Sequence, residues 1–237
     1  MELGTVLSVW AHPDDEAFLA AGLMAQATSD GGRVVCVTAT RGEGGSFDEE
    51  KWPSATMGAV RERELMACLA RLGVTEHEFL GLPDIDMQTP LPDTYGSERI
   101  RQIMADVQPD TVLTFGPDGM TGHEAHKSVS SWATDAFAEL GKPGSRLYHA
   151  AASDAWAENF LQRLTEIGVF LPGTPIVYPL GELDLVLELS DEQLDVKMAA
   201  LEEHTSQLVG IYSVYTPEEL RVEQRLETYR LAAEIPR

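Results

Sequence analysis

Thr5-Val6-Leu7-Ser8-Val9-Trp10-Ala11 runs straight into His12-Pro13-Asp14-Asp15-Glu16, and the contrast between the two halves decides the fold. The first half is a short, continuous apolar run with a β-branched bias, which predicts a strand buried on both faces. Ala17 to Ala27 is rich in Ala, Leu and Met and stops at Asp30-Gly31-Gly32, the pattern of a helix with a glycine terminator. Arg33 to Thr40 repeats the buried-strand pattern and completes a strand, helix, strand unit.

Working outward, Met57 to Leu72 predicts a helix, Glu78 to Leu82 a short strand and Ser97 to Val107 a helix. Thr111 to Phe115 predicts another buried strand and Gly122 to Leu140 a helix. Arg41 to Thr56 and Pro83 to Pro92 read as irregular, and a loop as long as the first usually has a function, such as a lid over a substrate. Beyond Arg146 the patterns are weaker. Leu147 to Ala152 and Asp184 to Leu189 read as strands, Asp191 to Leu208 and Pro217 to Ala233 as helices. The alternation predicts an α/β fold, a mostly parallel sheet with helices on both faces and its sites at the carboxyl ends of the strands.

Composition narrows the partners. Lys plus Arg total 17 against 39 Asp plus Glu in 237 residues, a formal charge of −22 that repels polyphosphate backbones and anionic membrane surfaces. Nucleic acid and membrane are therefore excluded as expected partners, a small molecule is favoured, and a homo-oligomer is left open. A hydrophobic fraction of 43% with 24% charged residues is ordinary for a globular chain. The two cysteines, Cys36 in a strand pattern and Cys68 in a helical one, form no disulfide framework and are expected to be buried and reduced. With no secretory signature and no apolar run long enough to span a bilayer, the expected location is cytoplasmic.

Two clusters could carry chemistry. His12 and Asp15 lie on one loop at the end of the first strand, and mixed nitrogen and oxygen donors suit zinc or another late divalent metal. Taken alone, Asp14 or Asp15 could equally serve to cap the helix that follows. The second cluster, Gly119-Met120-Thr121-Gly122-His123-Glu124-Ala125-His126, follows the strand ending at Phe115 and puts two imidazoles on one helical face. Thr121 and Glu124 fit a capping box, which gives Glu124 a structural task. His12, Asp15 and His126 supply the three protein donors of a catalytic zinc site, one ion per chain. Such a metal lowers the pKa of its water toward ~7 and polarises a carbonyl. Asp14 is then placed to accept the water proton and His123 to donate toward the oxyanion or leaving amine, an amide hydrolase.

With these residues in view, the chain resembles the LmbE-like, or PIG-L type, zinc N-deacetylase superfamily, whose hallmarks are a His-Pro-Asp-Asp-Glu loop and a Gly-His-x-Asp-His element. The resemblance extends to Thr40-Arg41-Gly42-Glu43, to Arg61 and Glu64, to Leu82-Pro83-Asp84 with Met87, and to Lys197 through Gln207 with His204-x-Ser206-Gln207. It implies a Rossmann-like fold in a single domain over 1–237, about 1–150 forming the core with the metal site and about 151–237 a C-terminal extension that completes it. It also implies zinc-dependent removal of an N-acetyl group from a glucosamine-type sugar, N-acetylglucosamine or a conjugate of it. The same comparison assigns His12, Asp15 and His126 as ligands, Asp14 as general base, His123 as acid and oxyanion stabiliser, and Glu43, Arg61 and Asp84 as substrate contacts. His204 and Gln207 correspond to a family element near the site.

One position departs from the pattern. Ala125 stands where the family has an Asp that charges the catalytic histidine, so His123 is expected to titrate low unless a carboxylate from elsewhere replaces it. Two neighbouring activities remain open: an amidase for a larger thiol or sugar conjugate, and a non-catalytic, metal-containing sugar-binding relative. A phospho-acceptor receiver would be about half this length and leave the histidine pair unexplained. A dinucleotide-binding oxidoreductase needs a glycine-rich turn after the first strand, where this chain has His-Pro-Asp-Asp.

Overall fold

The computed structural model describes residues 3–236, so Met1, Glu2 and Arg237, the outermost residues of the expected 1–237 domain, lie outside it. Five strands, β1 (Val6–Trp10), β2 (Val34–Thr40), β3 (Glu76–Leu82), β4 (Thr111–Phe115) and β5 (Arg146–Ala150), pair in parallel in the order β3-β2-β1-β4-β5. Every residue of β1, β2 and β4 is buried, which is why these strands read as unbroken apolar runs. The connecting helices are α1 (Asp15–Ser29), α2 (Ser54–Arg71), α3 (Asp93–Val107) and α4 (Glu124–Leu140). From β1 the chain steps outward through β2 and β3, then returns to lay β4 on the other flank of β1. Strand order reverses there, and a crevice opens beyond the carboxyl ends of β1 and β4. The α/β, mostly parallel architecture expected from the sequence is the one found.

The C-terminal part departs from the sequence reading. Two short strands, β6 (Ala152–Ser153) and β7 (Val177–Tyr178), pair by themselves. Between them α5 (Asp154–Trp156) runs through a π-helical turn (Ala157–Leu161) into α6 (Gln162–Glu166). β8 (Leu185–Glu188) and β9 (Leu226–Glu234) extend the central sheet antiparallel beyond β5. The helix expected over Asp191 to Leu208 is two, α7 (Asp191–Leu201) and α8 (Thr205–Ile211), separated at His204. The helix expected over Pro217 to Ala233 ends at Glu223 as α9 (Pro217–Glu223), and its remainder is β9. Leu231-Ala232-Ala233 favours helix locally, but Glu227 and Tyr229, two residues apart, are both buried as a strand requires. Tertiary pairing overrides local propensity here.

Those two residues have a specific partner. Inside α1 the amides of Gly22 and Leu23 donate to the Glu227 carboxylate at 2.7 and 2.9 Å. The carbonyls one turn earlier, Phe18 and Leu19, accept from Lys197 Nζ at 3.0 Å and from the Tyr229 hydroxyl at 2.7 Å. Lys197 Nζ lies 2.9 Å from Glu227 Oε1, both side chains 1% exposed. A Cβ at Gly22 would meet Leu189 Cδ2 at 2.5 Å and Glu227 Oε1 at 3.1 Å, so glycine leaves room for both Leu189 and the carboxylate to pack against the helix. Through this clamp α7 and β9 fix the helix whose first turn carries Asp15 and Glu16. Replacing one member leaves the other charge buried alone, which costs about 3–5 kcal/mol. Lys197→Met is expected to lose that much in urea unfolding, and Lys197→Met/Glu227→Gln markedly less; equal losses would sink the assignment.

Candidate metal centre and active site

The acidic loop after β1 is backbone-strained and tightly held. Asp14 adopts φ 113°, ψ −30°, outside the usual regions for a side-chain-bearing residue. Its amide donates to Glu16 Oε2 at 3.0 Å and its carbonyl accepts from Ala17 at 2.9 Å to begin α1. Arg61, from α2, sits 3.2 Å from Asp14 Oδ1 and also donates to the carbonyls of Pro13 and Gly42. Arg61 is buried, so its role is in the site rather than in surface pairing with neighbouring Glu62 or Glu64. Gly42, at φ 66°, is obligatory because a Cβ there would lie 2.3 Å from the guanidinium.

Beside Asp14 the two loops meet. His12 Nδ1 and His126 Nε2 are 3.0 Å apart, and the Asp15 oxygens lie 3.7 and 3.5 Å from them respectively. The far nitrogen of each ring is already committed. His12 Nε2 is 3.2 Å from Asp84 Oδ1, and His126 Nδ1 is 2.9 Å from the Gly119 carbonyl and 3.1 Å from Thr121 Oγ1. Asp84 and a backbone carbonyl only accept, so both far nitrogens carry hydrogen and both near nitrogens present lone pairs. Two lone pairs facing each other over a buried carboxylate call for a cation between them. A proton partly meets that demand in the protein alone. Burial disfavours a charged His12, yet the hydrogen bond to Asp84 and the charges of Asp15 and Asp84 outweigh it and raise its pKa. Burial, then the charge of His12, pushes His126 far down, while burial lifts Asp15 to about 7 against the pull of His12. Two imidazoles, a carboxylate and acceptors that orient the rings fit a divalent metal.

His123 adds a third imidazole, its donor atom within 4.8 Å of those of His12 and His126. Burial, reinforced by the charge of His12 and opposed by Asp84, lowers His123 to about 4. The position expected to bear a carboxylate holds Ala125, buried in the apolar core. The expected capping box is not formed. His123 occupies the cap position without a side-chain bond, Thr121 faces His126, and Glu124 pairs with Lys127 at 2.7 Å. Left-handed backbone at Gly119, Met120 and Gly122 turns Thr121 away from the helix end. Of the other sequence candidates, Asp84 joins the site, held to about 2 because the His12 hydrogen bond and charge overcome its burial, and it also accepts from the Gly44 amide at 3.1 Å. Glu43 lies against α2 at Gly58, with Oε2 buried and unpartnered.

Two contributions were not legible in the sequence. Phe115 stacks on the His126 ring at 4.1 Å and 13°. Glu16, fully buried, is 2.7 Å from His204 Nε2 and accepts from Cys68 Sγ at 3.3 Å, so the break between α7 and α8 delivers a histidine beneath the acidic loop.

A parallel sheet with imidazoles and carboxylates gathered at its switch point makes a candidate metal site on a Rossmann-like α/β fold. Residues 7–137 match the model of the GlcNAc-PI de-N-acetylase family, PIG-L, and the chain belongs to that family. A deacetylase of 1D-myo-inositol 2-acetamido-2-deoxy-alpha-D-glucopyranoside from Mycobacterium sp. (strain KMS) is 30% identical, the match covering 86% of this chain and 74% of the relative. Among solved structures, N,N'-diacetylchitobiose deacetylase from Pyrococcus horikoshii superposes with a TM-score of 0.68 at 20% identity over 97% of this chain and 84% of its own. GalB, the 4-carboxy-2-hydroxymuconate hydratase of Pseudomonas putida KT2440, superposes at 0.65 with 18% identity over 99% of this chain and 98% of its own. The fold therefore also carries other chemistry, and the reaction must be argued from the site.

The buried Glu16–His204 pair makes a pH-dependent contribution. Burial opposes both charges, but their mutual attraction and hydrogen bond prevail, holding Glu16 below its ordinary 4.5 and His204 above 6.5. The Glu16 contribution is complete above pH 4.5 and fades as pH falls through its lowered value; that of His204 is complete below 6.5 and fades as pH rises through its raised value. In metal-free protein, the stability gap between wild type and His204→Gln is expected to be widest between those limits and to narrow at alkaline pH. Urea midpoints across pH test this, and a gap independent of pH contradicts it.

Proposed function

We propose that this chain is a zinc-dependent hydrolase that removes the N-acetyl group of a glucosamine-type sugar or sugar conjugate, with one ion held by His12, Asp15 and His126. The observation that carries the reading is the pair of imidazole lone pairs converging 3.0 Å apart over Asp15, each ring fixed by an acceptor behind it. Membership of a de-N-acetylase family and a 30% identical sugar deacetylase support the reaction class. Zinc suits the mixed nitrogen and oxygen donors. The cytoplasm remains the proposed location; among the described residues no helix is long and apolar enough to cross a membrane. A single working domain is supported by β8 and β9 joining the same sheet as β1 to β5.

Bound there, the metal supplies Lewis-acid polarisation of the amide carbonyl and a more acidic water. Asp14 takes the water proton at its carboxylate. Burial raises its pKa above the ordinary value against the pull of Arg61, which makes it a stronger base than an exposed aspartate. Arg61 fixes the carboxylate while leaving it partly exposed to the cavity. His123, neutral at pH 7, donates an N–H hydrogen bond to the oxygen that becomes anionic. The proton held by Asp14 is then available to the leaving amine. Asp84 serves first to orient His12, and with Arg61 it lines the cavity where substrate would lie, whereas Glu43 is turned against α2 at Gly58.

Zinc-loaded protein is expected to release acetate from N-acetylglucosamine or its glycosides, to lose the activity on chelation and to regain it with zinc. Asp14→Asn should cut kcat by about 10²–10⁴ while zinc stoichiometry stays at one. Activity that survives the substitution removes Asp14 from the reaction. Ala125→Asp should raise His123 above about 4 and move the acidic limb of the pH-rate profile to higher pH. A profile that does not move refutes the role assigned to position 125.

A further inference from the structure

Beneath the acidic loop lies a second group of metal-ligating side chains, which no step of the proposed reaction uses. Glu16 from the first turn of α1, Cys68 from α2 and His204 from the break before α8 each offer one donor atom, all within 4.8 Å of one another. Glu16 Oε1 is the common partner, 2.7 Å from His204 Nε2 and 3.3 Å from Cys68 Sγ. All three residues are 0% exposed, and none of them lines the cavity in front of His12 and His126.

One imidazole nitrogen, one carboxylate oxygen and one sulfur form a donor set for zinc or cobalt, not for calcium or magnesium, which take oxygen. Without a metal, protons hold the group together. The Cys68 thiol donates to Glu16, and burial, then the charge of Glu16, keeps that thiol well above its ordinary range. His204 donates to Glu16 from Nε2, but its Nδ1 is buried with no partner among the described residues. A charged ring therefore hides an N–H that nothing receives, and a neutral ring, the weaker donor, loses less there. A divalent ion would carry the positive charge that Glu16 requires between the three donors and leave the ring neutral. The exchange balances. One ion enters and two protons leave, from His204 Nε2 and Cys68 Sγ, so carboxylate, imidazole, thiolate and ion sum to the same zero charge as carboxylate, imidazolium and thiol. The geometry is also close. Bonds of about 2.0–2.1 Å to nitrogen and oxygen and about 2.3 Å to sulfur set tetrahedral donors about 3.3–3.6 Å apart, so the Cys68 contact is nearly in place and the His204 contact must open by about 0.6 Å.

We propose that Glu16, Cys68 and His204 form a second metal site, which takes a late divalent ion such as zinc when metal is supplied beyond the one ion held by His12, Asp15 and His126. Its role is structural, since the three donors come from elements far apart in sequence and one ion ties α1, α2 and the start of α8 together under the acidic loop. It fills after the first site because its donors are buried and closed over protons that the ion must displace.

Cobalt separates the two sites, because a thiolate ligand gives an intense near-ultraviolet charge-transfer absorption and the set of His12, Asp15 and His126 contains no sulfur. Metal-free protein is titrated with Co²⁺ beyond two equivalents, once folded and once while refolding from urea, so that a closed site can fill. The expected result is two bound ions per chain, the second accompanied by the charge-transfer band. Cys68→Ala should lose the band and one of the two ions, whereas Cys36→Ser should keep both ions and the band. His204→Gln, which leaves both thiols in place, should weaken binding of the second ion at least tenfold. His126→Gln, which damages the first site, should keep the band. One ion per chain and no band under both conditions overturns the proposal, as does a band that survives Cys68→Ala or vanishes with Cys36→Ser. If the band appears as expected but no amide is cleaved, the second site stands and the reaction assignment fails.

Discussion

Three successive carboxylates, Asp14, Asp15 and Glu16, are packed into one loop beneath the crevice, and the site is organised around the need to neutralise each of them. Their mutual repulsion and the penalty of burial would be prohibitive without cationic partners. Each is met differently: Arg61 from α2 for Asp14, a charged His12 beside the neutral His126 ring of α4 for Asp15, and His204 from the break before α8 for Glu16. No two of these partners are neighbours in sequence, so forming the loop requires α2, α4 and α8 to close on the end of β1. The φ of 113° at Asp14 is what turns its carboxylate away from its two neighbours and toward Arg61.

The sequence revealed what short-range pattern encodes. β1, β2 and β4 were legible because strands buried on both faces are continuous apolar runs, and the carboxyl ends of those strands then pointed to His12, Asp14, Asp15, His123 and His126. What stayed hidden depends on distant partners. Nothing near Leu231-Ala232-Ala233 announces a strand until Glu227 and Tyr229 are seen to clasp α1. His204 looked like one letter of a motif until Glu16, 188 positions earlier, proved to be its partner. The capping box at Thr121 and Glu124 met the spacing rule yet lost to the left-handed turns that aim Thr121 at His126.

The Lys197, Glu227 and Tyr229 clamp plays the same part on the other side of α1. It satisfies two amides and two carbonyls in the middle of the helix from outside, and so couples the C-terminal strand to the helix that bears Asp15 and Glu16. The cavity beside the metal position takes much of its lining from this same C-terminal region. One part of the chain thus both stiffens the acidic loop and shapes the space in front of it, while β1 to β4 carry the residues of the candidate metal site.

Ala125 shows how finely that division runs. The two imidazoles facing the metal position keep their orienting acceptors, Asp84 behind His12 and the Gly119 carbonyl behind His126. His123 has no such carboxylate bonded to it among the described residues and feels Asp84 only through its charge. Losing a carboxylate at position 125 therefore leaves the metal-facing donors intact and alters only the imidazole assigned to the substrate oxygen. On the proposed reading, a neutral histidine there donates a hydrogen bond without first being charged, and delivery of the proton to the leaving nitrogen falls to Asp14, whose raised pKa equips it to carry the proton.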